Sequence, residues 1–448
     1  MPELREGELE TAAQMWAALS KGEVPAGQLA ERALMRAERW QPTINAFSQI
    51  WPQALESVPG ASTVPIAVKD LFDVVGYEST GCCAAYRGNV AQRDAPIIAN
   101  LRERFFFVGK TNQHELAAGG TNLVSACGPT GNPWDPERMT GGSSGGSGAA
   151  VAAGIVPFAL GSDTGGSIQI PASMCGTFGL KPTTGRLPLE GLMPLAPSMD
   201  CPGAIAATAE DLSLLFRAMA GPADVAAPDA PEPRRIALLE GFFSEVVHEE
   251  VQAAVQDAAA AFERAGVTVE SIDGRGIANA RSTWMDVCCP EFAEAHPLLE
   301  DPERRKVVSA QPRDWLERGE RLSSEQRADA ARQREEIARW YRGRLSGVDA
   351  LLVPTTPYPA PRADQFVVDL GGGRSIEIDR VGPGFMSSSV NLAGLPALSL
   401  PAGRSSDGMP IGVSLVGIDL ADESLLRLAR LWEEASGYRP SRPSLSQP

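Results

Sequence analysis

Two glycine-rich runs, each carrying serine, are the segments of this chain best suited to covalent chemistry. The first is Gly141-Gly142-Ser143-Ser144-Gly145-Gly146-Ser147-Gly148, and the second is Asp163-Thr164-Gly165-Gly166-Ser167. Consecutive glycines carry no side chains to block an approach, so their N–H groups can converge on one oxyanion. Ser167, at the end of the second run, is placed as a nucleophile beside its own oxyanion hole. The strand-like run Val156 to Leu160 precedes it, and α/β sheets gather reactive groups at the carboxyl ends of their strands. One helix and one return strand separate Ser143 from Ser167, a crossover that brings both serines to the same sheet edge.

The first run admits other readings. Gly/Ser stretches are often flexible linkers, but this one lies inside an α/β stretch and is followed at once by a helix and a strand. A phosphate loop would need a G-K-[ST] ending, which is missing. Gly142-Ser143-Ser144-Gly145-Gly146 also matches G-x-S-x-G, which would make Ser144 the nucleophile of an α/β-hydrolase-type esterase. That elbow requires a strand just before it, and Trp134 to Arg138 does not read as one. It also requires a downstream histidine, leaving His248 and His296, both in charged helical surroundings.

A serine pair still needs a base. The chain has three histidines, none in either run, and five lysines against 35 arginines; Ser-x-x-Lys occurs nowhere. Arginine cannot release its proton and lysine can, yet Lys69, Lys110 and Lys181 all fall in the region of the two runs. Lys69 ends the β-like run Val64-Pro65-Ile66-Ala67-Val68-Lys69 and so also points from a sheet edge; its plain alternative is a surface charge. Asp70 would raise the Lys69 pKa on contact, but neighbouring strand side chains face opposite ways. His114-Glu115-Leu116-Ala117-Ala118 opens like a zinc-protease helix, lacks the second histidine, and reads as structural. Trp134 and the other aromatics read as core.

The elements that must position these groups follow an α/β pattern. Residues 8–38 read as two helices broken near Gly22 to Pro25. Strand-like runs then alternate with small-residue helices to about residue 220, including a buried strand at Phe105 to Val108 and a helix at Ala149 to Gly154. Residues 221–234 are a Pro/Ala/Asp-rich connection. A strand at Arg235 to Leu239 and a helix at Glu249 to Ala265 come next, then a charged helical region over 301–346. Leu351 to Pro354, Asn391 to Pro401 and Ile411 to Gly417 read as strands before a last helix at Asp422 to Ala435.

The motifs resemble the amidase signature family. The matching stretches are Pro65 to Asp70, Gly141 to Gly148, Gly161 to Ser167, Gly179-Leu180-Lys181-Pro182-Thr183, Gly185-Arg186, Asn391 to Pro396 and Pro410-Ile411-Gly412. The resemblance covers about residues 60–220 and 346–435, with a divergent segment over about 221–345. It implies one domain over residues 1–448, built on a mixed, roughly eleven-stranded sheet covered by helices on both faces. It also implies a Ser–cis-Ser–Lys triad: Ser167 resembles the nucleophile, Ser143 the bridging serine after a cis peptide bond from Gly142, and Lys69 the base. The N–H groups of Thr164, Gly165, Gly166 and Ser167 resemble the oxyanion hole, and Gly119, Gly120 and Thr121 a substrate-side loop. Lys181 matches a motif without a triad role. One departure is Gln169, where members commonly carry arginine. The implied activity is hydrolysis of a small-molecule amide without cofactor or metal. The glutaminase-type component of an amidotransferase complex uses the same triad.

Composition narrows the partners. Net charge is −16 with no basic stripe, which disfavours nucleic acid. The seven cysteines contain no C-x-x-C pair and read as free thiols. Met1 to Glu6 is acidic, unlike a signal peptide. No run approaches the roughly 18 apolar residues of a membrane span. The expectation is a cytoplasmic enzyme away from membranes, with a homodimer permitted.

Overall fold

Alternation along the buried strands decides the architecture. Ile66 and Val68 enter one hydrophobic cluster and Ala67 the other; Phe105 and Phe107 likewise part from Phe106 and Val108. Strands buried on both faces need helices on both faces. The computed structural model describes residues 10–57, 63–221 and 232–443. The acidic terminus Met1 to Glu6 and most of the 221–234 connection lie outside the described residues.

Eleven strands form one mixed sheet. In spatial order they are Phe47–Ile50, Phe105–Thr111, Val64–Lys69, Phe158–Asp163, Cys201–Ala206, Phe178–Lys181, Ala397–Arg404, Pro410–Val416, Ala350–Pro354, Arg235–Glu240 and Thr268–Asp273. Val64–Lys69 runs parallel to both of its neighbours, whereas Phe158–Asp163 pairs antiparallel with Cys201–Ala206. Lys69 and Asp163 therefore end neighbouring parallel strands on the same sheet edge. On one face the helices Ala26–Ile44 and Gly145–Ala152 pack through Ala30, Ala33, Ala37, Ala149 and Ala150. On the other face lie Ala209–Ala220, Glu249–Arg264 and Asp422–Ser436. No helix among the described residues is long and apolar enough to cross a membrane.

Two sequence expectations are corrected. Asn391 to Ala393 is not strand but the last turn of the helix Ser387–Ala393, which Gly394 terminates in the left-handed region at φ 73°; the strand starts at Ala397. Asp135–Met139 is a strand, paired with Gly131–Asn132 in a two-stranded ribbon and bridged through Arg138 to Arg362. Pro136, second in this short strand, lies outside the main sheet, where a missing N–H is tolerated. The divergent segment carries the expected strand as Arg235–Glu240 and adds Thr268–Asp273, the two extending the sheet as a parallel pair. After Glu249–Arg264, its helices are Ala280–Ala295, Pro302–Lys306, Ala310–Arg321 and Ser324–Arg344. The last begins with a capping box between Ser323 and Gln326.

Candidate active site

The lysine scarcity points inward. Lys69, Lys110 and Lys181 are all fully buried, so the surface-charge alternative fails for each. Lys110 Nζ reaches Ser79 Oγ at 2.7 Å and faces Asp70 at 3.6 Å. Asp70 is thus turned away to another lysine, as strand alternation requires. Lys181 Nζ donates to the Pro182 carbonyl at 2.8 Å, a structural contact.

Lys69 instead meets hydroxyls. Its Nζ lies 2.7 Å from Ser143 Oγ and 2.9 Å from Ser162 Oγ. Burial without a contacting carboxylate pushes the amine down from its ordinary 10.5 to about 7, against the opposing pull of Asp163 and Asp200. The Gly142–Ser143 peptide is cis. The Ser143 carbonyl accepts from the His114 N–H at 3.0 Å, and the Ser144 N–H donates to the Ser167 carbonyl at 3.1 Å. The second of these bonds ties the two serine loops together, and the first ties Ser143 to His114. Ser143 is sealed, whereas Ser167 keeps 7% of its surface open.

Asp163 organises the second loop. Its carboxylate accepts from the N–H groups of Gly166 at 2.7 Å and Ile168 at 2.8 Å, and from Asn391 Nδ2 at 2.9 Å. Gln169 adds its N–H and Nε2 at 3.3 and 3.4 Å, so neutral donors surround this acid where the family commonly places arginine. The Gly166 N–H, expected in the oxyanion hole, is therefore turned back to Asp163. That leaves Thr164, Gly165 and Ser167 as the loop's available N–H groups. Gly166 has φ +116°, and a Cβ there would stand 2.0 Å from Ser387 Oγ. Gly166→Ala is expected to lower stability by about 1–3 kcal/mol and to disorder the loop. Thermal denaturation beside an activity assay checks this, and an unchanged melting temperature with full activity would contradict it.

The loop opens into a cavity of about 320 Å³ lined by Ser167, Gly165 and the expected substrate-side residues Gly119, Gly120 and Thr121. Trp284 and Trp315, read from sequence as core, form part of its wall, edge to face at 5.6 Å. Trp284 Nε1 donates to the Thr164 carbonyl at 2.8 Å, and its ring lies where a Gly165 side chain would be. Sequence reasoning also missed Asp200, which accepts from Thr164 Oγ1 at 2.6 Å, and Ser387, which donates to the Gly165 carbonyl at 2.9 Å. Neither carries a local motif.

The other candidates are placed elsewhere. Ser144 is fully buried and donates to the Ser162 carbonyl at 3.2 Å. Neither histidine required by the elbow reading hydrogen-bonds it: His248 caps the helix Glu249–Arg264, and His296 contacts Tyr86 and Pro194. The ribbon strand Asp135–Met139, though real, lies outside the main sheet. His114 is buried, is held neutral by burial at about 4, and accepts from the Asn122 N–H. All seven cysteines are free thiols, with only Cys127 exposed. No group of three metal-ligating side chains occurs among the described residues.

The model of the family described as Amidase matches residues 28–426. The chain belongs to the amidase signature family. A glutamyl-tRNA(Gln) amidotransferase component from Deinococcus radiodurans is 34% identical, over 97% of this chain and 99% of its own length. Among solved structures, one described as the crystal structure of an amidase superposes with TM-score 0.87 and 30% identity, covering 95% of this chain and 99% of that one. A 6-aminohexanoate cyclic dimer hydrolase complexed with substrate gives TM-score 0.83 and 30% identity, covering 98% and 99%. As a member of this family the chain is a hydrolase of carbon–nitrogen bonds other than peptide bonds, and the mixed eleven-stranded sheet is the family's fold.

Proposed function

We propose that this amidase cleaves its carboxamide through an acyl-enzyme on Ser167, with Ser143 as proton relay and Lys69 as base. The observation that carries the reading is a buried amine with pKa drawn to about 7, 2.7 Å from Ser143 Oγ. Neutral Lys69 takes the Ser143 proton while Ser143 takes that of Ser167, whose oxygen attacks the amide carbonyl. The oxyanion is held by the N–H groups of Thr164, Gly165 and Ser167, worth about 3–4 kcal/mol per donor. The C–N bond breaks as the proton returns through Ser143 to the leaving nitrogen, which departs as ammonia or an amine. Water attacks the ester by the same relay and frees the acid. Gly119, Gly120 and Thr121 flank the bound amide. Because one sheet gathers strands from residue 47 to residue 416, we read residues 1–448 as a single domain.

The relation to the amidotransferase component gives a second reading, in which the same machinery acts on glutamine and passes ammonia to a partner chain. A panel of aliphatic, aryl and amino-acid amides, with glutamine included and ammonia release as readout, tests both. Turnover is expected to survive EDTA, because the relay needs only protons and backbone dipoles. Loss on chelation, restored by zinc, would overturn the triad reading. Glutamine turnover together with a co-purifying second chain would favour the amidotransferase reading.

A further inference from the structure

One cation of the cavity has nothing to answer it. Arg281, in the first turn of the helix Ala280–Ala295, is half-buried and lines the same cavity as Ser167. Its contact is with a ring: the guanidinium carbon stands 4.6 Å over the centroid of Trp284. Among the described residues it forms no ion pair and no hydrogen bond. Its neighbour Arg318 is already matched to Asp286 at 2.6 Å. Asp379 and Arg380, adjacent in the chain, also line the cavity but are exposed, where water screens their charge. Burial, reinforced by the charge of Arg318, pushes the Arg281 guanidinium below its usual range. An anion entering the cavity would relieve that penalty.

We propose that Arg281 is a carboxylate-binding residue of the substrate cavity and that the substrate is an amide carrying a carboxylate at its other end. The proposal rests on the amidase reading of this site and extends it to substrate class. A guanidinium presents a planar fork that matches a carboxylate with two parallel hydrogen bonds. Buried charges in folded proteins are normally paired, and here the missing partner has room to arrive with the ligand. Position is fixed as well. Trp284, one helical turn along, is bonded to the Thr164 carbonyl and packed on Gly165, so Arg281 is held at a set place relative to the oxyanion loop. The same cavity wall carries apolar side chains as well, among them Met139, Ile170 and Leu195. A short methylene chain between carboxylate and amide fits such a wall, and a cavity of about 320 Å³ suits a small molecule.

The test is binding to the Ser167→Ala protein by calorimetry, with malonamate, succinamate and glutaramate each compared with its neutral counterpart acetamide, propionamide or butyramide. At least one carboxylate amide is expected to bind at least tenfold more tightly than its partner. That preference is expected to vanish in both Ser167→Ala/Arg281→Gln and Ser167→Ala/Arg281→Met, and to survive in part in Ser167→Ala/Arg281→Lys. Met keeps the packing against Trp284, so two variants guard against a folding defect. Equal binding of every pair, no binding of any member, or a preference that survives both neutral substitutions overturns the proposal. Labelling of wild-type Ser167 by a fluorophosphonate reports on the nucleophile separately, so failure of the carboxylate site is distinguishable from failure of the amidase mechanism.

Discussion

Ser167→Ala is expected to remove amide turnover almost entirely, by roughly 10⁴-fold or more, because it deletes the atom that forms the acyl-enzyme. Loss of a nucleophile usually costs as much as loss of the whole catalytic group, since the remaining members have nothing to activate. The protein should stay folded, as Ser167 Oγ makes no hydrogen bond among the described residues and a smaller side chain meets no obstacle. A fluorophosphonate probe followed by peptide mass spectrometry is expected to place the label on Ser167 in the wild type and nowhere in the variant. Label on Ser144 would instead support the elbow mechanism. That outcome would demand a rearrangement, because Ser144 is sealed from solvent and spends its hydroxyl on the Ser162 carbonyl. Full turnover in Ser167→Ala would end the acyl-enzyme reading.

The site was legible where its chemistry is written in contiguous residues. Consecutive glycines have few uses other than close backbone approach, and Gly165 and Gly166 are packed against Trp284 and Ser387 at distances no side chain allows. Lys69 was legible through scarcity: in a chain that charges its surface with arginine, a lysine ending an apolar strand is conspicuous. What escaped were contacts between segments far apart in the chain. Trp284 reaches Thr164 from within the divergent segment, and Asp200 reaches the same residue from just before another strand. Neither has a neighbour in sequence that betrays its role, because the sheet order, not the chain order, makes the meeting. The misplaced strand at Asn391 has a local cause. An apolar run with Gly394 inside reads as a strand with an irregularity, whereas the glycine actually closes a helix.

Replacing Lys69 separates a base from a mere positive charge. If Lys69 accepts the proton, it must be neutral in the working enzyme, and burial lowers its pKa from 10.5 to about 7, a shift worth about 4–5 kcal/mol. Two buried acids oppose the shift. Asp163 is held by amide donors, and Asp200 is itself pushed toward its neutral form by burial, which weakens its pull on the lysine. A cation at position 169 would cancel part of the Asp163 field, so the glutamine there keeps Lys69 higher than an arginine would. The sign for activity follows: the neutral amine is lost as pH falls through about 7, so kcat/KM should decline about tenfold per pH unit below that point and level off above it. Lys69→Arg keeps a charge but cannot deprotonate. It is expected to be nearly as inactive as Lys69→Ala, each losing on the order of 10²–10⁴-fold. Arginine is also bulkier in a fully enclosed site, so circular dichroism must establish that the variant folds before its rate is read. The wild-type pH profile needs no variant and carries the same information. Substantial turnover by a folded Lys69→Arg protein, or a kcat/KM that stays level well below pH 7, would leave Lys69 an orienting charge for Ser143 rather than the base.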